Sequence, residues 1–172
     1  MSLFELSDFE RTGNIDLDVH FTELDSARRS VNQLAKQALK TIQIFTPDLE
    51  YDIYTGNFCD KLLAMARGNR HAKIQILAFE STSAVSRGHP LIRLAHELTS
   101  VIEIRIPAEE YQQTNIAFMV ADRSGFVFRR DSKEFDGILN PDCKYRAGKL
   151  AEIFMSAWEH AEIDPQSRRL SI

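Results

Sequence analysis

Strand-like segments rich in Ile at 41–45, 73–77 and 101–106 alternate with stretches whose apolar residues recur every three or four positions, and no other feature narrows the fold as far. Strand, helix and strand in that order bury apolar surface on both faces of a largely parallel sheet. The first helical stripe holds Ala27, Val31, Leu34, Ala35, Ala38 and Leu39, with Asp25 or Ser26 placed as its N-cap. The second holds Phe58, Leu62, Leu63, Met65 and Ala66 and is expected to stop at Gly68. A short third helix carries Leu91, Leu94, Ala95 and Leu98, entered through Pro90 at its first position.

Residues 19–22 read as a short strand before the first helix. Residues 115–122 and 125–130 are two further β-runs, joined by a turn through Asp122, Arg123, Ser124 and Gly125 that signals a hairpin. A polar stretch around Asn140 follows. The chain then closes on a helix bearing Ala147, Leu150, Ala151, Phe154, Ala157 and Trp158. The expected class is α/β: a mixed β-sheet flanked by helices. Residues 1–17 are expected to be an acidic, poorly ordered lead, 18–160 one domain, and 161–172 a tail.

The chain has 172 residues, 44% apolar and 27% charged, enough to bury a core without metal or disulfide staples. Cys59 and Cys143 lie in no CxxC or Cys/His cluster, so they read as unpaired thiols and not as a zinc site. The N-terminus lacks the basic and apolar regions of a signal peptide, and no run approaches the ~18 apolar residues that span a bilayer. A cytoplasmic location is therefore expected. The net charge is −4, but residues 1–25 carry −6 and the remainder +2. A body charge of +2 is thin support for a dedicated nucleic-acid face.

The run 115–122 has a more specific frame. It resembles the phospholipase D-like superfamily, whose signature is His-x-Lys-x-x-x-x-Asp on a strand followed by a turn and a second strand. Asn115 falls on the His position, Ala117 on the Lys position and Asp122 on the Asp position. The order of units upstream fits as well, so the resemblance covers roughly residues 18–160 and implies a half-domain of that fold. It also implies an isologous homodimer, because active members pair two such halves. Within the superfamily the chain resembles a bacterial branch sometimes joined to an acetyltransferase domain.

The departures govern the chemistry. In the superfamily the His forms a phosphohistidine and the Lys holds the phosphate oxygens. An Asn amide replaces neither nucleophile nor acid near neutral pH, and Ala117 has no charge. The expectation is a non-catalytic domain with no catalytic residue, no cofactor and no metal. It would act as a binding or regulatory module for a phosphate-bearing ligand, a nucleic acid or a protein. Asp122 reads as a turn former bonding the backbone that follows it. Candidate anion ligands are Arg87 and His89, in a Gly-containing loop before a helix, with Arg105 and Arg129 at predicted strand ends. Their plainer reading is ion pairing with acids such as Glu103 and Asp131. Two further readings stay open. One is a phosphodiester hydrolase with a redesigned site built on His89 or His20 with Asp122. The other is an accessory domain that regulates a partner enzyme such as an acetyltransferase.

Overall fold

A computed structural model describes residues 9–167. In chain order the elements are β1 (Val19–Phe21), α1 (Leu24–Gln37), β2 (Thr41–Asp48), α2 (Gly56–Gly68), β3 (Lys73–Glu80), α3 (Thr82–Ser86) and α4 (Pro90–Glu97). They continue with β4 (Ile102–Ile106), β5 (Ala117–Ala121), β6 (Gly125–Arg129), β7 (Gly137–Asn140), α5 (Lys144–Glu159) and β8 (Glu162–Ile163). The strands form one mixed sheet in the order β1-β7-β6-β5-β2-β3-β4-β8. β2, β3 and β4 are parallel, and all other pairings are antiparallel.

Alternation along each strand sorts the core into two layers. Ile42 and Ile44 of β2, Ile74 and Ile76 of β3, and Met119 of β5 face α1, α2 and α4. Phe45, Leu77, Phe118, Phe126 and Phe128 face α5, whose Ala147, Leu150, Ala151 and Phe154 are fully buried against them. Both faces of the sheet are covered, which is why β2 is buried over most of its length, Gln43 and Thr46 included.

Several local expectations need correction. The N-cap of α1 is Glu23, which forms a capping box with Ser26, so neither Asp25 nor Ser26 starts the helix. The second helix does stop at Gly68 as expected, but the chain leaves through Asn69 in extended conformation and not through a left-handed glycine. β7, β8 and the short α3 had too few residues to show a period. The acidic lead lies outside the described residues over 1–8, but Phe9 is buried against the rings of Phe126 and Phe128, at 5.4 and 4.9 Å. Residues 162–163 pair with β4, and Asp164 is buried and accepts a hydrogen bond from the Ser81 hydroxyl.

A buried polar cluster ties this N-terminal segment to the body. The Arg146 guanidinium is fully buried and pairs with Asp18 at 2.6 and 3.1 Å. It also donates to the Asn14 carbonyl at 3.1 Å, while the Asn140 amide donates to Asp18 at 2.7 Å. Asp18, Asn140 and Arg146 thereby join the segment before β1, the end of β7 and the first turn of α5.

Candidate functional site

The sheet has two ends of different chemistry. At one end lie the carboxyl ends of β2, β3 and β4, together with the start of β5 and the end of β6. Crevices in open α/β sheets form at such an end. Asn115 sits there, exposed, just before β5, and its carbonyl accepts from the Ser132 N–H at 2.7 Å. Ala117 opens β5 and is buried directly opposite Arg129 of β6. Cross-strand neighbours put their side chains on the same face. The guanidinium of Arg129 therefore rises beside the place where the motif would carry its lysine.

That guanidinium is held on every side. Its Nη1 and Nη2 donate to the two carboxylate oxygens of Glu50 at 2.7 and 3.2 Å. Nε donates to the Glu134 carbonyl at 3.1 Å, and Nη2 also reaches the Ser132 carbonyl. Arg129 is only 4% exposed. Burial pushes the Glu50 carboxyl above its ordinary range, although Arg129 pulls the other way. Four of the five guanidinium N–H groups are engaged in this way, and the fork-to-fork pair with Glu50 neutralises the charge that a ligand would need.

The four candidate anion ligands do not converge. Arg87 is exposed, and its nearest charged neighbourhood is acidic: burial and Glu80 raise the Asp48 carboxyl, and Arg87 only partly offsets them. Arg105 projects to the other face of the sheet, where it pairs with Glu103 at 3.0 Å and lies 4.2 Å over the Trp158 ring. Arg129 is locked, as above. The crevice thus carries Asp48, Glu50 and Glu80 against Arg87 and Arg129, and an anion meets more carboxylates than free cations.

His89 is fully buried as the N-cap of α4, where Nδ1 accepts the Leu91 N–H at 3.0 Å. That bond fixes the neutral tautomer with its proton on Nε2. Nε2 has no hydrogen-bond partner in good geometry, though the nearby Glu50 backbone favours a proton there. Burial outweighs that influence and lowers the imidazole's affinity for a second proton. In the unfolded chain the same group takes up a proton near pH 6.5. Folding stability is therefore present above that pH and is lost as pH falls below it. The expected loss is up to about 1.4 kcal/mol per pH unit. Denaturant melts at pH 7.5 and 5.5 should show a larger drop for the native chain than for His89→Asn, which keeps a capping acceptor. Equal drops would mean that His89 does not carry the effect.

Asp122 lies at the opposite end of the sheet, about 20–25 Å from the crevice by the rise of the eight-residue β2. A site joining it to His89 is excluded by that distance. His20 is exposed on the edge strand β1, at the far margin of the sheet, and does not face the interior. The Asp122 carboxylate has a structural duty instead. It accepts the backbone N–H groups of Leu39, Lys40 and Thr41 at 2.8, 2.8 and 2.9 Å. It does not bond the backbone that follows it, as the turn reading expects. Asp122 and Arg123 both have φ +53, and the Ser124 N–H bonds the Ala121 carbonyl at 3.0 Å, a type I′ hairpin turn.

Sequence reasoning missed Glu50, which stands 79 residues before its partner in an irregular loop. The available signal was an acid just past the end of β2, where the loop must lie over the crevice. Among the described residues no group of three His, Cys, Asp or Glu gathers as a metal-binding cluster, and no helix is long and apolar enough to cross a membrane.

Solved structures of low sequence identity share this architecture. Nuc from Salmonella typhimurium, a phospholipase D family member, superposes with a TM-score of 0.65 at 13% identity, covering 86% of this chain and 97% of that one. NucT from Helicobacter pylori gives 0.57 at 13%, covering 86% and 98%. TrmBL2, an archaeal chromatin protein described as showing a novel mode of DNA binding, gives 0.61 at 15%. That match covers 89% of this chain, which spans only 56% of the chromatin protein. The fold is accordingly that of the phospholipase D-like half-domain. No curated protein matches the sequence significantly. A family model does match, across residues 23–170, and by that match the chain belongs to the family described as Domain of unknown function (DUF7931).

Proposed function

We propose that this chain is a non-catalytic phospholipase D-like domain that serves as a binding or regulatory module. The observation that carries the reading is the Arg129–Glu50 pair standing opposite Ala117. The position of the phosphate-holding lysine is an alanine, and the space beside it is filled by a cation already neutralised. With Asn115 at the nucleophile position, neither the covalent step nor the phosphate clamp has a residue to perform it. The acidic balance of the crevice supports the same conclusion, since it repels a phosphodiester.

Nucleic acid is the ligand class with most support. One structural neighbour is an archaeal chromatin protein described as DNA-binding. The half-domain fold also suggests pairing of two copies, which sedimentation equilibrium would measure.

The test is hydrolysis of bis(p-nitrophenyl) phosphate and of linear DNA by the native chain and by Asn115→His/Ala117→Lys. Neither protein is expected to turn over, because restoring two residues leaves Glu50 and Arg129 across the crevice. Turnover by the native chain that disappears in His89→Ala would instead establish a hydrolase with a redesigned site.

A further inference from the structure

The end of the sheet away from the crevice carries an unneutralised belt of cations. Lys36 closes α1, Lys40 stands just before β2, Lys61 and Arg67 lie on α2, and Arg70 and Lys73 flank the start of β3. Arg123 sits at the apex of the β5–β6 turn. None of the seven has a carboxylate partner among the described residues. Of the acids at this end, Asp122 has both oxygens taken by backbone N–H groups. Asp142 and Glu97 follow β7 and close α4, to either side of the belt, while Asp16 and Asp18 precede β1 beside the end of β7, where Asp18 is paired with Arg146.

We infer that this edge, and not the crevice, binds the phosphate backbone of a double-stranded nucleic acid. The inference rests on the reading of the chain as a binding module and assigns that module's ligand and surface. Arg123, Lys40 and Lys73 stand at the ends of neighbouring strands, which lie about 4.8 Å apart. They form a row on the order of 10–15 Å long. One strand of duplex DNA presents a phosphate about every 3.4 Å along its axis, so the row meets roughly three or four of them. Lys36, Lys61, Arg67 and Arg70 widen the row on the α1–α2 side.

Two features decide between ligands. Single strands bind by stacking bases on successive aromatic rings; the exposed rings beside this edge are His71, whose Nε2 accepts from Arg70 Nε at 3.1 Å, and Tyr145 at the start of α5, which has the Lys149 ammonium 5.0 Å over its ring. Backbone contact to a duplex needs no such platform. A trough of about 420 Å³ between α1 and α2 has an apolar floor of Ala35, Ala38, Leu39, Ala64 and Met65. An acidic peptide with an apolar anchor would use that trough. It would leave Arg67, Arg70, Lys73 and Arg123 unused, because none of them lines it. The distribution of charge therefore favours the longer polyanion.

The experiment is fluorescence anisotropy with 20-base-pair DNA and RNA duplexes, a single strand of equal length, and poly-glutamate, from 50 to 200 mM salt. About five phosphate contacts would give a slope near −4.5 for log affinity against log salt. Lys36→Gln/Lys40→Gln/Lys73→Gln should flatten that slope by about 3. Arg29→Gln/Lys133→Gln/Arg11→Gln removes the same charge elsewhere and should leave it unchanged. Arg123→Gly relieves a left-handed backbone, so it should weaken binding without loss of thermal stability. Duplex binding that ignores the edge variants would overturn the site while leaving a binding module. No duplex binding at 50 mM salt, or tighter binding of poly-glutamate or of the single strand, would overturn the ligand. The hydrolysis assay decides the non-catalytic reading separately.

Discussion

Asp18→Ala should cost about 3–5 kcal/mol of folding stability, the range for removing one partner of a buried ion pair. The Arg146 guanidinium is fully buried and relies on Asp18 for two of its hydrogen bonds. Without the carboxylate a full charge remains among Phe126, Cys143 and the base of α5, and the Asn140 amide loses an acceptor too. For a chain of this length the melting temperature should fall on the order of 10 °C. Asp18→Asn/Arg146→Met removes the charge along with its partner, so it should be more stable than Asp18→Ala. Thermal denaturation of the three proteins checks this. A drop below about 1 kcal/mol in Asp18→Ala would show that water reaches the guanidinium and that the N-terminal segment is not fastened there.

Glu50→Ala should be nearly as damaging, at about 3–4 kcal/mol, since Arg129 would keep only carbonyl acceptors for a buried charge. The double change Glu50→Ala/Arg129→Met should recover much of the loss, because it leaves no unpaired charge in the crevice. Urea unfolding of the single and double variants gives the coupling energy directly. Additive effects would mean that the pair is incidental and that something else closes the crevice.

The elements with clear periods were legible in the sequence, and those without were not. α1, α2 and the parallel strands announce themselves because both faces of the sheet are covered and each helix turns one stripe inward. β7 and β8 have four and two residues, too few to display alternation. The frame Asn115, Ala117 and Asp122 located the motif, yet its meaning depended on contacts between distant parts of the chain. Asp122 looked like a turn residue and is one, but its carboxylate serves a loop 81 to 83 residues away. Arg129 was legible as a strand-end cation. Its pairing with Glu50 was not, because nothing in a single sequence says which acid a loop will carry back across the sheet. The basic edge was hidden for a related reason: total charge averages over ends that the fold keeps apart.

That separation alters what the protein presents to its surroundings. β2 spans eight residues, so the acidic crevice and the lysine-rich edge are held roughly 25 Å apart. At physiological salt the screening length is about 8 Å. A molecule approaching either end is therefore shielded from the other, and the net charge of −4 is a quantity that no partner actually meets. The fold therefore presents two surfaces of opposite sign that are electrically independent of one another at physiological salt.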